Sequence, residues 1–86
     1  MKDLATKSIT LHQKMEIISK RSTREKLLAY LALYAKKMGT NHFEIPFDRQ
    51  ELADYLEVDR SGLSAEISKL RREGVLTAEK NRFTLL

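Results

Sequence analysis

Over the first twenty residues the apolar positions Leu4, Leu11, Met15 and Ile18 are separated by seven, four and three residues. That spacing sets them on one face of a helix. Ile9 and Ile17 lie off the stripe, which is thin enough to predict a helical segment that needs a partner surface; it ends at Lys20-Arg21-Ser22. A second helix is predicted over 23–38. Ser22 and Glu25 have the spacing of a capping box, and Leu27, Leu28, Leu31, Tyr34 and Ala35 follow at helical intervals, with Tyr30 beside them and Leu33 at the flank. Gly39 can take the left-handed conformation that stops a helix.

The pattern then changes period. His42 to Pro46 alternates briefly, and Pro46 blocks a continuing ladder or helix, so a short edge strand is expected at 43–45. Asp48 with Glu51 reads as a new cap, and Phe47 before it can staple onto Leu52. This predicts a short helix over 49–56 carrying Leu52, Ala53, Tyr55 and Leu56. After a tight turn at Glu57-Val58-Asp59, a third helix is predicted over 60–73, with Asp59 as cap and Leu63, Ile67 and Leu70 on one face. Gly74 ends it. Val75-Leu76-Thr77 and Arg82 to Leu85 read as two strands, and Glu79-Lys80-Asn81 as their hairpin turn, with Asn81 expected to supply the positive φ.

A short helix joined to a longer one by a tight turn is the helix-turn-helix pattern. Three residues sharpen it. Ala53 is small where the helices must approach, Val58 is apolar inside the turn, and Leu63 and Ile67 face back toward Leu52 and Leu56. With a capped helix before it and a hairpin after it, the expected fold is mainly α with a small β wing (α+β), a winged helix-turn-helix preceded by an N-terminal helical segment. In such folds the second motif helix enters the DNA major groove. Opposite its apolar side lie Ser61, Ser64, Ala65, Ser68, Lys69 and Arg72, with Arg60 at the mouth; no acid falls in that arc. Arg60 suits the acceptors of guanine, and the serines suit bases or phosphates. Arg49, at the start of a helix, and Lys80 and Arg82, on the wing, are the expected phosphate contacts. Lys20, Arg21, Arg24, Lys36, Lys37 and Arg71 are assigned to solvated surface.

Composition narrows the function classes. At 86 residues the chain holds one domain. Sixteen Lys and Arg against twelve Asp and Glu leave a formal charge of +4, a weak bias toward anionic partners. With no cysteine, disulfides, thiolate metal sites and a thiol nucleophile are excluded. No apolar run reaches the roughly 20 residues of a membrane span, and no signal-peptide core is present; a cytoplasmic protein without membrane contact is expected. His12 and His42 stand alone, without partners at metal-ligand or triad spacing, and three glycines form no phosphate loop. No enzyme activity, cofactor or metal is expected. The alternative to DNA binding is a winged-helix protein-interaction module, which an acidic or apolar outer face would favour.

The runs Ser22-Thr23-Arg24-Glu25-Lys26-Leu27-Leu28, Ile45 to Leu56 and Val58-Asp59-Arg60-Ser61, with a wing at Glu73 to Leu76 and Lys80 to Leu85, resemble the C-terminal domain of the Crp/Fnr regulators. The resemblance covers about residues 15–86. It implies a dimeric bacterial transcription factor whose sensor barrel, the binder of a small effector, lies outside this sequence. Residues 1–20 would then be the tail of the joining dimerisation helix or the segment just after it, and 21–86 the DNA-binding domain. Arg60 matches an Arg common at the start of the family's recognition helix. Ser61 stands where several members have a base-reading Glu, Ala65 where an Arg is usual, and Glu57 where the turn often has Gly. These departures imply a different target sequence and fewer direct base contacts.

Overall fold

The computed structural model describes residues 10–86. Four helices and three strands follow in order: α1 (Leu11–Ile18), α2 (Thr23–Met38), β1 (His42–Glu44), α3 (Arg49–Leu56), α4 (Arg60–Arg72), β2 (Leu76–Glu79) and β3 (Arg82–Leu85). Each helix starts on a side chain that accepts an otherwise unpaired backbone N–H. Thr10 caps α1, Ser22 caps α2, Asp48 caps α3 and Asp59 caps α4. The Asp48–Glu51 box is complete. At Ser22 only half of the expected box forms, because the Glu25 carboxylate accepts from the N–H of Arg21 (3.2 Å) instead of Ser22. Gly39 ends α2 at φ 74°.

The strands form one antiparallel sheet in the order β1-β3-β2, with Phe43 opposite Phe83 and Ala78 opposite Phe83 from the other side. β1 is an edge strand, as expected, one residue earlier than the alternation predicts. β2 begins at Leu76 and runs to Glu79, so the hairpin turn is shorter than expected. Its positive φ falls at Lys80 (56°), not at Asn81. The reason is tertiary: Asn81 is held against the strand exit, its carbonyl accepting from the Ile45 N–H (2.8 Å) and its side-chain amide donating to the Ile45 carbonyl (3.2 Å).

The core is continuous from α1 to the wing. Leu27, Tyr30 and Leu31 of α2, Leu52, Ala53 and Leu56 of α3, Leu63, Ile67 and Leu70 of α4, and Leu76 and Phe83 of the wing are all buried. The rings of Phe47, Tyr30 and Tyr55 form a triangle, with Phe47 6.2 Å from Tyr30 and 5.0 Å from Tyr55 and the two tyrosines 5.4 Å apart. Burial pushes the Tyr30 hydroxyl well above its ordinary pKa. No buried side-chain nitrogen or oxygen lacks a hydrogen-bond partner among the described residues.

The N-terminal stripe is a correction. Leu4 and Ile9 lie outside the described residues. Of the others, Leu11 and Met15 are 73% and 58% exposed, whereas Ile17, off the stripe, is 3% exposed and joins the core. Lys14, one turn before Ile17, holds its Nζ 4.8 Å from the centroid of the Tyr55 ring. A face carrying Lys14 looks polar when apolar letters are counted, but the methylenes of a lysine cover apolar surface while its head reaches a π-face. α1 docks through Lys14 and Ile17; of its predicted stripe Leu11 and Met15 face outward, and Ile18 is half-buried.

Candidate nucleic-acid interface

Two caps set the geometry of the motif. Asp48 Oδ1 accepts from the Glu51 N–H (2.8 Å), and the Glu51 carboxylate accepts from the Asp48 N–H (2.9 Å). Asp59 Oδ2 accepts from the Gly62 N–H (3.0 Å). Between the helices Glu57 takes a left-handed conformation (φ 59°, ψ 49°), and its N–H caps the carbonyls of Ala53 and Asp54. The Val58 N–H also returns to the Ala53 carbonyl (2.9 Å). Ala53 is fully buried where the backbone folds back on itself, as the small side chain implied.

With Leu63, Ile67 and Leu70 buried, the outer face of α4 is open: Arg60, Ser61, Ser64, Ala65, Ser68, Lys69 and Arg72 are all exposed. Arg49 occupies the first position of α3, half-buried, with its Cζ 5.1 Å from the centroid of Phe83. The stack joins the helix start to the wing. Burial first, and the charge of Arg71 second, lower the pKa of Arg49 from its ordinary value. A concavity of about 440 Å³ is lined by Asp48, Arg49, Gln50, Arg60, Lys80 and Asn81. The structure therefore brings Arg49, Arg60 and Lys80 around one space at the joint of α3, α4 and the wing tip.

Two of the expected residues stand elsewhere. Arg82 is in register with Glu44 on β1 and Glu79 on β2. Side chains directly opposite in a sheet share a face, so Arg82 lies between two acids, and it does not line the concavity that Arg60 lines. Lys69 leans to the other flank of α4, where with Arg72 it adds to the positive field on Glu73. Arg71, assigned to plain surface by pattern, lies close enough to Arg49 to repel it. The signal was present: Arg60, Ser64 and Arg71 are spaced four and seven apart, one line along a helix. Centring the outer face directly opposite the apolar stripe hid that flank, which faces the wing.

Arg24 is the other residue that pattern reading left as solvated. Its Nε donates to Glu66 (2.7 Å), and Nη1 and Nη2 donate to the two oxygens of Glu73 (3.0 and 2.8 Å). These bonds hold the Arg24 guanidinium above its usual pKa and the Glu73 carboxyl below its own. Among the described residues no group of three or more His, Cys, Asp or Glu is placed to hold a metal ion. His12 approaches Glu16 at 3.5 Å on the surface of α1, and His42 Nδ1 lies 2.7 Å from Thr84 Oγ1 on the wing. No helix among the described residues is long and apolar enough to cross a membrane.

Three packed helices with a buried small residue in the first motif helix, an open polar-to-basic second helix and a three-stranded wing define the winged helix-turn-helix class of DNA-binding regulators. Within that class, the chain belongs to the Crp-like helix-turn-helix domain family, whose profile matches residues 25–86. It is similar to the transcriptional activator protein FnrL of Cereibacter sphaeroides, at 30% identity across 84% of this chain and 33% of the relative. It is also similar to the transcriptional activatory protein AadR of Rhodopseudomonas palustris, at 30% identity across 100% of this chain and 42% of the relative. The chain thus spans well under half the length of these two relatives.

Proposed function

We propose that this chain is the DNA-binding domain of a cytoplasmic bacterial Crp/Fnr-type transcription regulator and that α4 reads double-stranded DNA in the major groove. The observation that carries the reading is the convergence of Arg49, Arg60 and Lys80 on one concavity beside the acid-free, exposed outer face of α4. Arg60 approaches guanine, Ser61, Ser64, Ser68 and Arg72 approach bases or phosphates, and Arg49 and Lys80 take phosphates on either side of the groove. Ala65 offers a methyl contact. Lys69 and Arg82 contribute at the rim. The names of the two relatives support a role in transcription regulation.

The active form is a homodimer. Residues 1–20 are the tail or linker that leads in from a dimerisation helix, and 21–86 form the DNA-binding domain. The outward apolar pair Leu11 and Met15, one helical turn apart, supports this reading. A sensor domain elsewhere in a longer protein binds the effector. One module engages one half-site, so this chain alone binds weakly.

Fluorescence anisotropy with labelled duplex at several salt concentrations tests the proposal. Affinity is expected to fall by about 0.9 log units per tenfold rise in salt for each phosphate neutralised. Arg49→Ala lowers that slope by about one phosphate, and Arg60→Ala weakens binding and relaxes preference for one base pair. Absence of binding at low salt, including with a dimer enforced by fusion to a coiled coil, would refute the proposal in favour of a protein-interaction module.

A further inference from the structure

Glu66 of α4 and the helix's C-cap Glu73 lie on one flank. Glu66 and Glu73 are seven residues apart, two helical turns, and both are bound by the single side chain of Arg24 from the first turn of α2. All three kinds of guanidinium nitrogen are engaged. The bond to Glu73 is bidentate, the geometry in which an arginine fixes orientation as well as distance. The opposite flank of α4 carries Arg60, Ser64 and Arg71 and faces α3 and the wing. Helix α4 is therefore gripped on both sides of its buried stripe, by apolar packing with α3 and the wing on one side and by an ionic fork on the other. The fork comes from the corner where the chain leaves α1. There Glu25 accepts from the N–H of Arg21, and its own N–H donates to Ser22.

A stripe of three apolar residues resists tilt better than it resists rotation of a helix about its own axis, because side chains can slide in their grooves. An off-axis fork spanning two turns restrains that rotation directly. From this juxtaposition we infer that Arg24 is a positioning residue for DNA recognition: it fixes the rotation of α4 and couples it to the α1–α2 corner. The inference rests on the DNA-binding reading above. Rotation decides which side chains meet base edges, while backbone contacts to phosphate depend mainly on charge. Arg24 thus governs discrimination between sequences more than total affinity.

Charge alone predicts the reverse for the acids. Removing Glu66 and Glu73 makes the domain more basic and should favour every duplex. The test uses the duplex that the wild-type chain selects from a randomised library and a scrambled duplex of the same composition. Anisotropy is measured on the wild type, Arg24→Ala, Arg24→Lys and the double variant Glu66→Gln/Glu73→Gln, with folding checked by circular dichroism. The ratio of selected to scrambled affinity is expected to fall about tenfold in Arg24→Ala and several-fold in the double variant. The double variant's affinity for scrambled duplex holds or rises. Arg24→Lys, which keeps the charge and loses the fork, falls between wild type and Arg24→Ala. A ratio within about twofold of wild type in both Arg24→Ala and the double variant, in folded protein, overturns the inference alone. If Arg24→Ala does not fold, the double variant decides. If the wild type selects no duplex, the DNA-binding reading fails and the inference with it.

Discussion

Replacing Glu57 by glycine should make this domain more stable, although no contact is gained. Glu57 sits in the motif turn at φ 59° and ψ 49° and is exposed. A side chain with a Cβ pays about 1–2 kcal/mol to occupy that conformation. Glycine removes this strain but loses about 0.5–1 kcal/mol through the greater freedom of its unfolded chain. The caps through the Glu57 and Val58 N–H groups are backbone bonds, and both substitutions retain them. The net gain is about 0.5–1 kcal/mol, which for a domain of this size raises Tm by roughly 3–6 °C. Glu57→Ala separates the backbone effect from the charge: it removes the carboxylate and keeps the Cβ, so its stability stays within about 0.5 kcal/mol of wild type. Thermal unfolding followed by far-ultraviolet circular dichroism measures all three proteins. Equal Tm values for the glycine and alanine variants would show that the turn carries no left-handed strain and would refute the reasoning.

Three further outcomes are expected. Asp59→Ala removes the cap on α4 and should cost about 1 kcal/mol, whereas Asp59→Asn retains an acceptor for the Gly62 N–H and should cost little; equal losses on denaturant titration would mean that the charge, not the cap, matters. The Glu73 carboxyl is depressed below its ordinary value of 4.5 by Arg24, so its stabilisation is complete above that value and is lost as pH falls through the depressed one. The stability gap between wild type and Arg24→Ala should therefore narrow as acid is added below pH 4.5, and a gap that stays constant through that range would exclude an ionic origin. Ala65→Arg places a long cation on the exposed arc of α4 and should tighten binding to duplex DNA; no gain on any duplex in a randomised library would move the DNA-facing surface elsewhere on the helix.

The elements were legible where local chemistry and packing agree. The caps Ser22, Asp48 and Asp59, the stop at Gly39, and the stripe Leu63-Ile67-Leu70 each carry a short-range signal, and the structure uses all of them. What pattern missed depends on residues distant in sequence. Arg24 meets Glu66 and Glu73 across 42 and 49 positions, and no periodicity marks such a pairing. The Lys80 conformation follows from Asn81 being tied to Ile45, 36 positions away. In α1 the apolar count turned Leu11 and Met15 inward where the structure buries Ile17, because the docking side of the helix contains a lysine. Pattern could list candidate site residues but not group them. It placed Arg82 on the wing as a phosphate contact, and sheet register sets that residue between Glu44 and Glu79.

A net charge of +4 on 86 residues understates how basic the face of α4 is. The acids near it are held in backbone and side-chain hydrogen bonds. Asp48, Glu51 and Asp59 accept from helix-start N–H groups, Asp54 accepts from Gln50, and Glu66 and Glu73 accept from Arg24. Arg49, Arg60, Arg71, Arg72 and Lys80 make no ion pair with any of the described residues. The same capping that folds the motif therefore leaves its cations uncompensated on one side. A phosphate approaching that side meets guanidinium groups held in no ion pair among the described residues, and Asp48, the carboxylate that lines the same concavity, is already bound to the Glu51 N–H. Affinity for the backbone then follows from how the helices start, while choice of sequence rests on how α4 is turned. The two properties are carried by different residues and can change separately.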